Sequence, residues 1–126
     1  MKPDITTRED IKQIISQFYE KLLADEQMYP FFDEIVVSNH LEKHLEIITD
    51  FWEDLLLDTR SYSNNVLQKH IDVHQKLPFK KEHFDLWLGY LLATINDSFE
   101  GLKADQMIAR ARSIATVMQV KFNLYQ

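Results

Sequence analysis

The sequence predicts an all-α protein, on three observations. Four segments carry apolar residues at helical spacing. Only two glycines and three prolines occur in 126 residues, too few for a fold built on many tight turns. At 45% hydrophobic and 27% charged residues, the chain matches a folded soluble domain, and its length predicts one domain around one core.

Thr6 and Thr7 stand ahead of Glu9 and Asp10, the arrangement in which a hydroxyl and a carboxylate cap a helix start reciprocally. Ile11, Ile14, Ile15, Phe18, Leu22 and Leu23 then form one stripe. Tyr19 lies at the stripe's edge, so its ring is expected to be buried and its hydroxyl to need a partner. The helix should end before Pro30. Pro30-Phe31-Phe32 places two rings in a connecting turn, where they must cover the core or line a site.

A second helix is expected from Ser38 or Asn39, with Glu42 in capping position behind Asn39. Leu41, His44, Leu45, Ile48, Phe51, Trp52, Leu55 and Leu56 follow the helical period, which sets His44 on or beside the buried face. Residues 58–65 read as a polar loop. Residues 66–76 read as a short helix carrying His70 and His74 one turn apart, closed by Leu77-Pro78-Phe79. A third long helix is expected over 81–100, with Phe84, Trp87, Leu88, Leu91, Ile95 and Phe99 on one face and Gly101 as its C-terminal stop. The fourth, over 104–122, uses Met107, Ile108, Ala111, Ile114, Ala115 and Met118.

Fourteen Lys and Arg against twenty Asp and Glu give a net charge of −6 with no basic cluster, which disfavours nucleic acid as a partner. The absence of cysteine excludes disulfides, thiolate metal sites and cysteine nucleophiles. The longest strongly apolar uncharged run, 86–95, falls short of the roughly 18 residues a spanning helix needs, and the N-terminus lacks a signal-peptide core. No membrane association and a cytoplasmic location are therefore expected. Two distant glycines build neither a P-loop nor a dinucleotide fingerprint.

Five histidines occur: His40, His44, His70, His74 and His83. His40/His44 and His70/His74 are spaced i, i+4, which can chelate a divalent ion but is equally the spacing of ordinary surface or core histidines. His40-Leu41-Glu42-Lys43-His44 puts its glutamate in the wrong place for a zinc protease. No histidine has a glutamate three residues before it, as a di-iron bundle requires, and no Gly-x-Ser-x-Gly occurs.

The segments FYEKLLAD, HLEIITDFW and EHFDLWL, with Pro30-Phe31-Phe32 and His70 in matching order, resemble the truncated haemoglobins, and among them group III, over roughly residues 4 to 120. The resemblance implies a two-over-two helical sandwich, a single haem-binding globin domain over 1–126, a shortened first helix and a proximal segment that is mostly loop. It implies haem b as cofactor, with His70 as the proximal iron ligand. Tyr19, His44 and Trp87 correspond to polar distal residues, Phe32 to the phenylalanine on the haem face and Ile48 to an apolar distal position. Phe51 and Phe84 are packing residues that reach haem at its edges.

His44 has three roles open to it: contacting the ligand, swinging out as a gate, or binding the iron itself. His74 competes with His70 through a one-turn slip, and the match of Val66-Leu67-Gln68-Lys69-His70 favours His70. Arg60, Tyr62 and Lys69 are near enough in sequence to meet the propionates. The chain departs from the family pattern at Leu41, where tryptophan is common, at Val66, where proline is common, and at Asn64-Asn65, which replace a frequent glycine.

The residue chemistry is compatible with that family. A neutral imidazole can bind haem iron, aromatic faces can make a dry slot, and a buried phenol and indole can donate to a polar ligand. The expected function is binding of O2, CO and nitric oxide, with nitric oxide or peroxide redox chemistry that would require an external reductase. Two alternatives stand beside it: a globin-fold sensor or interaction module without haem, and a helical bundle with a metal ion at His70/His74.

Overall fold

The structure, a computed structural model, describes residues 1–60 and 66–122. Among the described residues it holds six α-helices, one 3-10 turn and no strand. Helix α1 (Arg8–Ala24) starts where the capping pattern placed it: Thr7 is the N-cap, its hydroxyl accepts from the Asp10 N–H at 3.2 Å, and the Asp10 carboxylate accepts from the Thr7 N–H at 3.2 Å. Its apolar face, from Ile11 to Leu22, is buried. The helix ends at Ala24, and a 3-10 turn follows at Tyr29–Phe31.

Two boundaries differ from expectation, each for an identifiable reason. Asn39 does not start the second long helix. A further short helix, α2 (Asp33–Val37), precedes it, and Asn39 adopts φ +63° to end that helix, with the Asn39 N–H donating to Val36 O and the His40 N–H to Ile35 O. Asparagine tolerates this left-handed conformation, which is the usual way a helix is closed. Helix α3 then runs Leu41–Leu57 with no side-chain cap at His40.

Gly101 likewise belongs to the helix after it. Helix α5 (Lys81–Ser98) ends in extended backbone at Phe99, and Gly101 is the N-cap of α6 (Leu102–Lys121) at φ +142°. The cap side chain comes from the far end of the chain: the Asp4 carboxylate accepts from the N–H groups of Lys103 and Ala104, each at 2.9 Å. Burial alone would raise the Asp4 pKa, but the N–H groups of Lys103, Ala104 and Ile5 outweigh it and hold the carboxyl below its ordinary value.

Helices α1 and α3 form one layer and α5 and α6 the other, stacked through α1 on α5 and α3 on α6. This is the two-over-two sandwich. Its core is the stripe of α1 with Trp52, Leu56, Leu91, Ile95, Met107 and Ala111. At the α1–α3 contact, Arg8 bridges Glu46, Asp50 and Glu53 at 2.7 to 2.8 Å, and Lys12 reaches Glu46 at 2.5 Å. Helix α4 (Val66–Lys76) matches its expected bounds and replaces the loop that the family resemblance implied. Among the described residues it joins none of the main helix packings.

The two glycines should respond to alanine with opposite signs. A Cβ at Gly101 would meet Asp4 Cγ at 2.5 Å in a backbone conformation that L-residues rarely adopt, whereas one at Gly89, within α5, would meet nothing within 4 Å. Gly101→Ala should cost about 1 to 3 kcal/mol and Gly89→Ala should gain up to about 1 kcal/mol. Thermal unfolding of both variants checks this.

Candidate functional site

The buried stripe of α1 ends in two rings, Phe18 and Tyr19, which meet edge to face at 5.5 Å. Tyr19 is buried, and its hydroxyl lies 2.8 Å from Nε2 of His44 on α3. Phe32, from the turn ahead of α2, packs edge to face on the Tyr19 ring at 5.3 Å and stands 6.4 Å from the His44 ring. Three elements thus meet at one phenol–imidazole pair. The pair satisfies the only hydroxyl that the α1 stripe takes into the core, which an apolar surrounding would otherwise penalise.

Burial drives the Tyr19 phenol well above its ordinary pKa, so it stays an O–H group. Burial also lowers the His44 pKa, and the charge that His70 would carry lowers it further. His44 is therefore a neutral ring at pH 7, and His70, half-buried on α4, lies near enough to act on it electrostatically.

The remaining expected site residues are distributed around this pair. Ile48 is half-buried one turn beyond His44. Trp87 of α5 is half-buried and reaches the group through Phe18, with ring centres 5.9 Å apart. Phe51 is half-buried with its ring edge-on to Trp52 at 5.5 Å. Phe84 is buried and packs on Phe79 at 5.4 Å. Arg60 and Lys69 are exposed. Tyr62 and Asn64-Asn65 lie outside the described residues.

The other histidines are engaged elsewhere. His74 Nδ1 accepts the Phe79 N–H at 2.9 Å, and its ring is stacked against Phe122 and Phe79. His40 is exposed and bonded to the Ser38 hydroxyl, and His83 Nδ1 accepts the Lys80 N–H. No group of three or more His, Cys, Asp or Glu with metal-binding geometry occurs among the described residues.

Phe79 was missed as a site residue. It follows Pro78 in a connection, outside any helical period, yet its ring touches or faces Phe31, His70, His74, Phe84 and Phe122. A proline-flanked aromatic in a short turn was the one available signal.

Chemically, the site offers a neutral imidazole, a second imidazole close by, a protonated phenol and aromatic walls, with no cluster of carboxylates beside them among the described residues. Such a donor set suits the iron of a flat apolar macrocycle and does not suit a hard oxygen-seeking cation. The residues present therefore fit haem.

Comparison with known proteins agrees in kind. The sequence model of the family described as bacterial-like globin matches residues 4–120. The group 3 truncated haemoglobin of Campylobacter jejuni is 29% identical over 121 residues, covering 94% of this chain and 93% of that protein. The crystal structure of group III truncated haemoglobin from Campylobacter jejuni superposes with a TM-score of 0.86 at 28% identity, covering 100% of this chain and 97% of that one.

The depressed His44 pKa has a pH consequence. Between the folded value and the unfolded value near 6.5, the unfolded chain binds the extra proton. His44 therefore contributes stability that is present above about pH 6.5 and lost as pH falls through the folded value. The thermal midpoint of the haem-free protein should drop between pH 7 and pH 5, and His44→Gln should flatten the drop. Parallel pH profiles of the two proteins would refute this.

Proposed function

Because the chain belongs to the bacterial-like globin family, whose members bind ligands through haem, we propose that it holds haem b between His70 and the Tyr19–His44 pair and binds diatomic ligands there. The observation that carries this reading is the buried Tyr19 hydroxyl, held at 2.8 Å from a neutral imidazole inside aromatic walls. The structural likeness to a group III truncated haemoglobin supports the same assignment. When bound, haem supplies an iron atom with one position open to O2, CO or nitric oxide.

In this reading His70 holds the iron. His74 is the weaker candidate because its Nδ1 already accepts a backbone N–H and its ring is stacked against Phe122 and Phe79. Phe32, Ile48 and Trp87 exclude water from the slot, and Phe51 and Phe84, packed on Trp52 and Phe79, touch the haem incidentally. Tyr19 stays protonated and is the first donor to the ligand. Its hydrogen bond to His44 supports contact with the ligand or gating as the role of His44, ahead of binding the iron. The Trp87 indole N–H is the second donor.

Each such bond is worth about 0.5 to 1.5 kcal/mol, so two of them hold a polar ligand one to two orders of magnitude longer than an apolar slot would. Retention of that kind disfavours simple transport and favours reaction of O2 with nitric oxide, or of peroxide. The electrons come from a separate reductase, since two distant glycines build no dinucleotide site. No helix among the described residues is long and apolar enough to cross a membrane.

Haem titration into the purified protein tests the cofactor. A saturable one-to-one Soret band is expected in the ferric, ferrous and CO forms, abolished by His70→Ala and retained by His74→Ala. A band indifferent to His70→Ala, or none, would overturn the assignment. Stopped-flow O2 release checks the distal donor: Tyr19→Phe should speed it about five- to tenfold, for a bond worth about 1 to 1.4 kcal/mol, while CO release changes less.

A further inference from the structure

Helix α4 carries His70, and among the described residues it makes none of the main helix–helix packings. One tether of the helix lies one turn beyond His70. There the Phe79 N–H donates to His74 Nδ1 at 2.9 Å, and the His74 ring stacks on Phe122, at 4.4 Å and 22°, and lies nearly parallel to Phe79, at 5.7 Å and 18°. Phe79 in turn packs on Phe31 from the 3-10 turn at 4.7 Å, on Phe84 from α5 at 5.4 Å and on Phe122 beyond α6 at 5.7 Å, and its ring centre stands 6.1 Å from that of His70. One backbone hydrogen bond and one aromatic cluster therefore tie the end of α4 to three other parts of the fold.

We infer that His74 and Phe79 form a clip that fixes the position of α4, and through it the direction in which the His70 imidazole points, making His74 a positioning residue for the haem ligand. This rests on the assignment of His70 as that ligand. His70 and His74 share one helix face, so the orientation of the His74 ring sets the roll of α4 about its axis. The accepting nitrogen must be unprotonated to receive the Phe79 N–H, which fixes the ring's polarity, and stacking against Phe122 and Phe79 fixes its plane. Partners that orient a metal ligand without touching the metal carry a share of its affinity, and their loss typically costs about 10- to 100-fold.

Two variants separate the parts of the clip. His74→Asn keeps an acceptor near Nδ1 and loses the stacked ring, whereas His74→Phe keeps the ring and loses the acceptor. With haem bound, the readouts are the iron–histidine stretching band of the ferrous form and the rate of haem transfer to an excess of a haem-scavenging globin. Hydrogen exchange at the Phe79 amide gives a readout in the protein without haem. His74→Ala should shift or broaden the band, raise haem loss about tenfold and remove the protection at Phe79. Each single-feature variant should recover part of both effects.

An unchanged stretching band and unchanged haem loss in His74→Ala, with the Soret band still abolished by His70→Ala, would overturn the clip and leave His70 as ligand. Retention of the Soret band in His70→Ala would instead remove the assignment on which the clip rests.

Discussion

The register between α1 and α3 is the constraint on which the site depends. As α1 advances from Arg8 through Lys12 to Tyr19, its partners on α3 step back from Glu53 and Asp50 through Glu46 to His44. The ion pairs are half exposed and individually weak. Burial of Ile11, Ile14, Ile15, Phe18 and Leu22 supplies the driving force. What the charges add is specificity. Arg8 faces carboxylates at i, i+4 and i+7 of α3, and a shift by one turn would leave one of them without its cation. That pinned register brings a phenol on one helix within hydrogen-bond distance of an imidazole on the other.

Two opposing requirements meet at that pair. A slot for an apolar macrocycle must be dry, yet a polar diatomic ligand needs a donor inside it. Burying an unpartnered hydroxyl is costly, and pairing Tyr19 with His44 removes the cost while keeping the donor. Burial then works on both groups in a useful direction: it keeps the phenol protonated and the imidazole neutral. Helix α4 is anchored differently: its end is tethered by aromatic stacking, whereas the Tyr19–His44 pair is set by the packing of two long helices.

Much of this was legible in the sequence where the cause is local. The Thr7–Asp10 cap, the stripe of α1 and the bounds of α4 follow from periodicity and capping chemistry confined to a few neighbouring residues. The misplacements have distant causes. Gly101 reads as the end of α5 until Asp4, almost a hundred residues earlier, is seen filling the space where its Cβ would be. Asn39 reads as a cap for α3 because nothing in the polar run after Val37 announces that a short helix ends there. Tyr19, His44 and Phe32 could each be singled out, but their convergence is tertiary. Phe79 escaped notice altogether, since a ring in a connection has no period and its five aromatic neighbours come from four separate segments.

The central claim is that one imidazole from α4 faces the Tyr19–His44 pair across a single haem. A crystal structure of the protein reconstituted with haem tests it most directly. The account predicts iron coordinated by Nε2 of His70, with Tyr19 and His44 on the other face of the macrocycle and Phe32 against it. Coordination by His74, haem seated away from Tyr19, or Tyr19 and His70 on the same face would contradict it.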